Sequence, residues 1–494
     1  MHPAALPLFS VAAARALERR AVESCGLGAE DLMRRAGAAA WRALLDRWPR
    51  MRHIGIACGP GNNGGDGYVL ALQARASGRD VVVVTLPDGA PRSDPARALH
   101  AEWIAQGGTT QAFNGALPDA DIWVDAVFGI GLARAPDGAS SGLIAALNAS
   151  ARPVFALDVP SGVDADSGHA PGIAVRAACT LQFIVGKRGL YTGIARTLAG
   201  DVSIDDLQLP AALPASEPHS AELLRADALH AWLTRRARDA NKGMFGHALC
   251  VGGDHGTGGA VMLSAQAALR CGAGLASVAT RASHVPALLA ARPEAMAHAV
   301  EDSADFAPLL QRATVIAIGP GLGQGDWGRA LHAAALAADK PLVIDADALN
   351  LLAQHPQRLR DAVLTPHPGE AARLLDVSVD VIQCDRFAAA QAIAERYAAT
   401  VVLKGAGSIV ATPGGVPAII DAGNPGMASG GMGDVLTGVI AALRAQRLNA
   451  FDAARCGALL HAAAGDAAAG DGGERGLLAS DLFPHLRRLA NPCD

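Results

Sequence analysis

HIGIACGPGNNGGDGYVLALQAR, residues 53–75, decides the fold. An apolar run ends at Cys58, five glycines fall within the next nine residues, and an apolar helical pattern follows. A short strand passed through a glycine turn into a helix is one unit of a parallel sheet. Such glycines let backbone N–H groups approach a ligand, some of them at positive φ. A helix beginning near Gly67 adds roughly half a positive charge at its N-terminus. A phosphate or pyrophosphate fits there, although the spacing is not that of the GxGxxG dinucleotide fingerprint. The plain alternative is a tight turn without a ligand. Against it stand Asn62, Asn63 and Asp66, which add little to a turn already rich in glycine but supply oxygen atoms.

The same rhythm recurs on both sides of LPAALPASEPHSA, residues 209–221, whose three prolines and small polar residues read as a linker. To its left helical patterns cover roughly Ser10 to Arg47, followed by candidate strands at 53–58, 80–86, 121–128, 153–159 and 179–185. To its right strands are expected at 247–253, 314–319, 341–346, 362–366 and 400–405. Two α/β domains result, residues 1–210 and 223–494, joined by a linker over 211–222. Parallel sheets bind ligands at the carboxyl ends of their strands, and most of the motifs below follow a strand.

Composition sets bounds. The chain has 494 residues, 51% hydrophobic and 18% charged, a globular balance with room for more than one core. No apolar stretch is long enough for a membrane span. The N-terminal run, broken by Arg15 and followed by Glu18, Arg19 and Arg20, reads as an amphipathic helix rather than a signal peptide. Eight scattered cysteines form no CxxC pair and argue for a reducing, cytoplasmic setting without disulfides or zinc. A net charge of −5 gives no basis for binding nucleic acid or an anionic membrane.

In the left half, Asp125 (DAVFGIGLAR, 125–134) and Asp158 (LDVPSGVDADSG, 157–168) also stand at strand ends before glycine loops. Each alone is an ordinary N-cap or loop anchor. Three such strand ends in succession point to a shared site. Asn63, Asp125 and Ser161 are candidate oxygen ligands for a monovalent cation, and Asp158 is left for acid–base work or a ribose contact.

In the right half, NPGMASGGMGDVLTGVIAAL (424–443) places Gly430, Gly431 and Gly433 before an apolar helix, with Asp434 at its entrance. N–H groups there can stabilise a transferring phosphoryl group while Asp434 takes a proton from a hydroxyl. The alternative is an Asp that only caps the helix. GGDHGTGGA (252–260) and GPGLG (319–323) offer further backbone cradles. Asp345, Asp347, His367 and Glu370 stand at strand ends, and Lys404, Gly405, Gly407 and Ser408 are candidates for holding nucleotide phosphates.

Taken in order, GPGNNGGDG, DVPSGVDADSG, GPGLG, DADALN, LTPHPGE, LKGAGS and GMASGGMGDVLTG resemble the bifunctional NAD(P)H-hydrate repair enzymes over nearly the whole chain. The resemblance implies a Rossmann-like N-terminal epimerase domain and a ribokinase-like C-terminal dehydratase domain. It further implies that Asn62, Asn63, Gly64, Gly65, Asp66 and Asp158 contact the hydrated dinucleotide, together with Gly129, Ile130, Gly131, Leu132, Ala133, Arg134 and Ala135. Asn63, Asp125 and Ser161 would bind K⁺. Ala260, Gly323, His367 and Asp434 would contact substrate in the second domain. Lys404, Gly405, Ala406, Gly407, Ser408 and Gly433 would hold ADP, with Mg²⁺ bridging its phosphates. Implied substrates are NADHX and NADPHX, and apolar helices opening each domain make a homo-oligomer the expectation. Four positions depart from the family pattern: Asn241, Asp254, Met432 and Ile130. Asp434 and Asp158 are the expected catalytic groups. The rival readings are a small-alcohol or vitamin-precursor kinase and an N-terminal half that only binds.

Overall fold

The computed structural model describes residues 5–131 and 134–491. The chain divides into two compact units, one of residues 7–221 and one of residues 222–494 with the first six residues.

In the first unit, β1 (His53–Cys58), β2 (Asp80–Thr85), β3 (Thr110–Ala112), β4 (Ile122–Ala126), β5 (Val154–Leu157), β6 (Cys179–Phe183) and β7 (Asp201–Asp205) form one sheet. Their order is β3-β2-β1-β4-β5-β6-β7 and every pairing is parallel. Alternate residues feed opposite cores. Ile54, Ile56, Val124, Phe155 and Leu157 pack with helices Ala29–Arg47 and Asn62–Ala76 on one face. Ala57, Trp123, Val154 and Ala156 pack with helix Gly138–Ala149 on the other. Both faces are covered, which is why the strands read as unbroken apolar runs. The order reverses between β1 and β4, so a crevice opens at their carboxyl ends.

The second unit contains β8 (Ala221–Leu224), β9 (His247–Val251), β10 (Leu275–Thr280), β11 (Met296–Ala299), β12 (Val315–Ile318), β13 (Leu342–Ile344), β14 (Ala362–Leu364), β15 (Thr400–Leu403), β16 (Ile409–Ala411) and β17 (Ala418–Ile420). They run in the order β11-β10-β9-β12-β13-β14-β15-β16-β17-β8. The pairings from β11 to β15 are parallel, and β15-β16-β17 is an antiparallel meander. Again the order turns, here between β9 and β12. Helices Gly258–Arg270, Met432–Ala445, Ala450–Gly472 and Leu482–Leu489 bury their apolar sides in one large core.

Several expectations need adjusting. The pattern over Ser10–Arg47 is two helices, Val11–Cys25 and Ala29–Arg47, because Gly26 at φ +64° ends the first. The helix expected near Gly67 starts at Asn62, so most of the glycine loop is its first two turns. None of those glycines has positive φ. They are there for close packing: a Cβ on Gly64 would lie 2.0 Å from the Gly59 carbonyl oxygen, and one on Gly65 would lie 2.2 Å from the Met33 sulfur. The linker stretch holds a short turn at Pro214–Ser216 and runs into β8. Strands β3, β7, β8, β10, β11, β16 and β17 were not expected. Among the described residues no helix is long and apolar enough to cross a membrane.

Two candidate active sites

In the first unit, β1, β4 and β5 bring Asn63, Asp125, Asp158 and Ser161 together at their carboxyl ends. Asp125 is fully buried. Its Oδ1 accepts from the Ser161 hydroxyl at 2.6 Å and from the Val127 N–H at 3.2 Å, and its Oδ2 accepts from the Ser161 N–H at 2.7 Å. Burial nevertheless pushes its carboxyl up to about 6. Asn63 is also buried, and its Nδ2 donates to the Leu157 carbonyl at 3.2 Å. Its Oδ1 is buried with no donor facing it. An orphaned buried oxygen, a buried carboxylate and a hydroxyl at neighbouring strand ends are the oxygen types that could hold a hard cation.

Asp158 sits at φ +64°, a region few non-glycine residues adopt. One carboxylate oxygen accepts from the Lys187 ammonium at 2.6 Å and the other from the Ile130 N–H at 3.2 Å. Gly129 has to be glycine, since a Cβ there would stand 2.9 Å from the Asp158 Oδ2. Asp66, on the helix starting at Asn62, is pushed well up by burial and by the Asp158 charge. Glu18 is raised by the same two causes. The Arg15 guanidinium donates to the Ile130 carbonyl at 3.4 Å. A cavity of about 220 Å³ lies here, lined by Arg15, Gly129, Ile130, Gly131 and Asp166 among others. Ile130 contributes its backbone, so a hydroxyl at this position is not needed for these bonds. Arg134 lies in an exposed loop with Asp137 at 3.7 Å, and Ala135 follows it. Leu132 and Ala133 lie outside the described residues.

In the second unit the glycine loop of 424–433 leads into helix Met432–Ala445, whose N-cap is Gly431 at φ +91°. Gly433 and Asp434 thus lie inside the first turn, where N–H groups have no partner within the helix. Asp434 does not cap the helix: the N-cap is Gly431, with no side-chain cap bond. Burial and the neighbouring Asp345 carboxylate push Asp434 up to about 7, Lys404 opposing them.

The Lys404 ammonium is tied to buried carboxylates. Its ammonium donates to Asp345 Oδ1 at 2.8 Å and lies 3.8 Å from Glu370. Thr437 donates to the other Asp345 oxygen at 2.8 Å. Buried Asp345 is thereby held below the usual carboxylate range, Lys404 being the chief cause working against desolvation. Gly433 makes room for this, because its Cβ would lie 3.2 Å from the Lys404 nitrogen. Ser408 closes its own loop through Gly405 at 3.2 Å. Ala406 and Gly407 lie between them. Buried His461 is pushed down to about 4 and stays neutral beside this helix start.

Around the rim, His367 Nδ1 accepts from the Gly369 N–H at 3.0 Å, and Glu370 returns the contact to the His367 N–H at 2.8 Å. A histidine between two prolines is here an N-cap whose acceptor nitrogen is fixed. Gly323 (φ +71°) donates its N–H to Asp347 at 2.9 Å. Ala260 lies in the first turn of helix Gly258–Arg270. Of the departures, Asp254 is neutralised by Arg281 at 2.8 Å, and Asn241 caps a short turn by accepting from the Gly243 N–H at 3.1 Å. Met432 is buried in the core. Sequence reasoning missed Lys187, Glu18 and Thr437. A signal for the first existed: only four of the 42 basic residues are lysines, and two of those four hold the strand-end aspartates of the two sites.

Fold and sites together define a two-unit α/β enzyme with a strand-end cluster of buried polar and charged side chains in each unit. Residues 248–488 match the family described as NAD(P)H-hydrate dehydratase, and residues 29–189 match the family described as YjeF-related protein N-terminus. A bifunctional NAD(P)H-hydrate repair enzyme of Coxiella burnetii is 47% identical, covering 97% of this chain and 98% of the relative. That of Escherichia coli is 44% identical over 96% of this chain and 92% of the relative. A solved ribokinase-like superfamily protein of Enterococcus faecalis is 31% identical with a TM-score of 0.51, covering 54% of this chain and 94% of its own. The chain belongs to the bifunctional NAD(P)H-hydrate repair enzymes.

Proposed function

We propose that this chain restores NADH and NADPH from their hydrates, NADHX and NADPHX. Residues 1–210 interconvert the R and S forms, and residues 223–494 dehydrate the S form with ADP. The observation that carries the reading is Asp434: an uncapped carboxyl in the first turn of a glycine-rich helix, titrating near 7, beside a Lys404–Asp345 pair.

Asp434 takes the proton of the C6 hydroxyl, and the freed oxygen attacks the terminal phosphorus of ADP while AMP departs. The ring nitrogen then pushes phosphate off C6, and loss of a proton from C5 restores the dihydropyridine. A positioned base of this kind contributes about 10²–10⁴-fold. First-turn N–H groups at Met432–Asp434 and the Lys404–Ser408 loop receive the phosphates. Mg²⁺ bound with the nucleotide phosphates would supply positive charge against the transferring group.

In the N-terminal unit Asn63, Asp125 and Ser161 fit K⁺. It would supply the missing partner of the Asn63 oxygen and offset the buried Asp125 charge. Asp158 lies against the Gly129–Ile130 backbone, where its anion would stabilise cationic character at C6. Inversion there loses the hydroxyl as water, using a proton from a neutral carboxyl. Water returns on the other face and gives that proton back, so the balance closes.

The test is to follow reduced-nicotinamide absorbance and free phosphate together with S-hydrate, Mg²⁺ and ADP. Recovery with one phosphate released per turnover supports the reading. A phosphorylated product that accumulates without recovery makes the protein a small-alcohol kinase.

A further inference from the structure

We infer that Lys187 is a positioning residue of epimerisation, locking the Asp158 carboxylate against the Gly129–Ile130 backbone at the C6 site. The inference rests on the epimerase reading above. Lys187 is 2% exposed, on the short strand Gly186–Lys187. Three contacts fix it in place. Its ammonium donates to Asp158 at 2.6 Å and to the Phe183 carbonyl at 2.8 Å, and its N–H donates to the Gln182 side chain at 2.6 Å. The strand itself pairs with the N-terminal segment, Leu8 opposite Gly186 and Phe9 opposite Lys187.

The arrangement of charges makes this more than a structural ion pair. Asp158 is faced by Lys187, by Glu18 with Arg15 and Arg19 from helix Val11–Cys25, and by Asp66 from helix Asn62–Ala76. One buried ammonium cannot serve three carboxyls. The geometry gives it to Asp158, while burial beside that charge pushes the Asp66 and Glu18 carboxyls up. The site thus sets a fixed ion pair beside two carboxyls whose hold on a proton is strengthened, a pairing suited to inversion through loss and return of water. The second unit repeats the scheme: Lys404 holds strand-end Asp345 while Asp434 is left to move a proton. A compact ammonium, not a guanidinium, performs the task at both places in a chain whose basic residues are almost all arginine.

The experiment uses the full-length protein and purified R-hydrate, with dehydration of S-hydrate by the same sample as internal control. Lys187→Met is expected to slow epimerisation by about a hundredfold, a loss typical of a site stripped of one electrostatic group. Dehydration should stay within about twofold of the unaltered protein. The epimerisation pH profile should move to higher pH, because Lys187 holds the neighbouring Asp66 and Glu18 carboxyls down and its loss lets them keep their protons longer. If Lys187→Met does not fold, Lys187→Gln, which keeps a donor for the Phe183 carbonyl, carries the same test. Epimerisation within threefold of the unaltered protein, or a loss with an unmoved pH profile, overturns the inference. Failure of the unaltered protein to convert R to S overturns the epimerase reading itself.

Discussion

Replacing Asp434 with Asn should stabilise the C-terminal unit while abolishing its chemistry. The Asp434 carboxyl titrates at about 7 instead of 3.8 because it is buried beside Asp345 and Glu370. Between those values the folded state binds the extra proton, so stability falls as pH rises through the window, and the cost is fully present above about pH 7. Three pH units at 1.36 kcal/mol each make that cost on the order of 4 kcal/mol. Asparagine has the shape of the neutral acid and escapes it. For a unit of this size the gain corresponds to roughly 10 °C in Tm at about pH 8.5, shrinking toward zero at about pH 4. Calorimetry of both proteins across that range reads it directly, taking the transition that ADP shifts as the one belonging to the C-terminal unit. An Asp434→Asn protein that melts at or below the unaltered one at about pH 8.5, or one whose gain does not depend on pH, refutes the reasoning.

Other consequences are read on the same molecule. Dehydration should decline as pH drops through about 7, where Asp434 takes up its proton, and Lys404→Met should move that limb upward by removing the charge that holds Asp434 down. The same variant leaves Asp345 buried without its cation, at a cost of about 3–5 kcal/mol, visible in denaturant unfolding. Gly64→Ala forces a methyl to within 2.0 Å of the Gly59 oxygen. It should destabilise the N-terminal unit by roughly 1–3 kcal/mol or more, measured by thermal unfolding, with dehydration of S-hydrate unchanged. Exchange of K⁺ for a bulky organic cation should lower epimerisation and spare dehydration, and Asn63→Ala should make epimerisation insensitive to that exchange.

The parts of the fold that were legible share a physical cause. Strands such as Ile122–Ala126 are buried on both faces and therefore read as solid apolar runs. Met296–Ala299 and Asp201–Asp205 lie at sheet edges, carry exposed residues, and have no such run to read. Glycine clusters marked both strand-end regions, but the positive φ expected at some of Gly59–Gly67 is absent. The missing Cβ atoms there let Met33 and the Gly59 carbonyl approach. Asp125 and Asp158 were singled out because each stands at the end of an apolar strand before glycines, and Asp434 because it opens a glycine-led helix. Lys187 and Glu18 were not. They reach Asp158 from segments far apart in the chain, and no local pattern records which lysine will be folded against which carboxylate.

The central claim is that two different sites act in sequence on one substrate, inversion first and dehydration second. Its most direct test starts from pure R-hydrate with ADP and Mg²⁺ and compares the unaltered protein with Asp158→Asn, following the return of reduced-nicotinamide absorbance beyond the spontaneous rate. The account predicts full recovery with the unaltered protein, only the spontaneous rate with Asp158→Asn, and recovery by both when S-hydrate is supplied. Rapid recovery from R-hydrate by Asp158→Asn would contradict it.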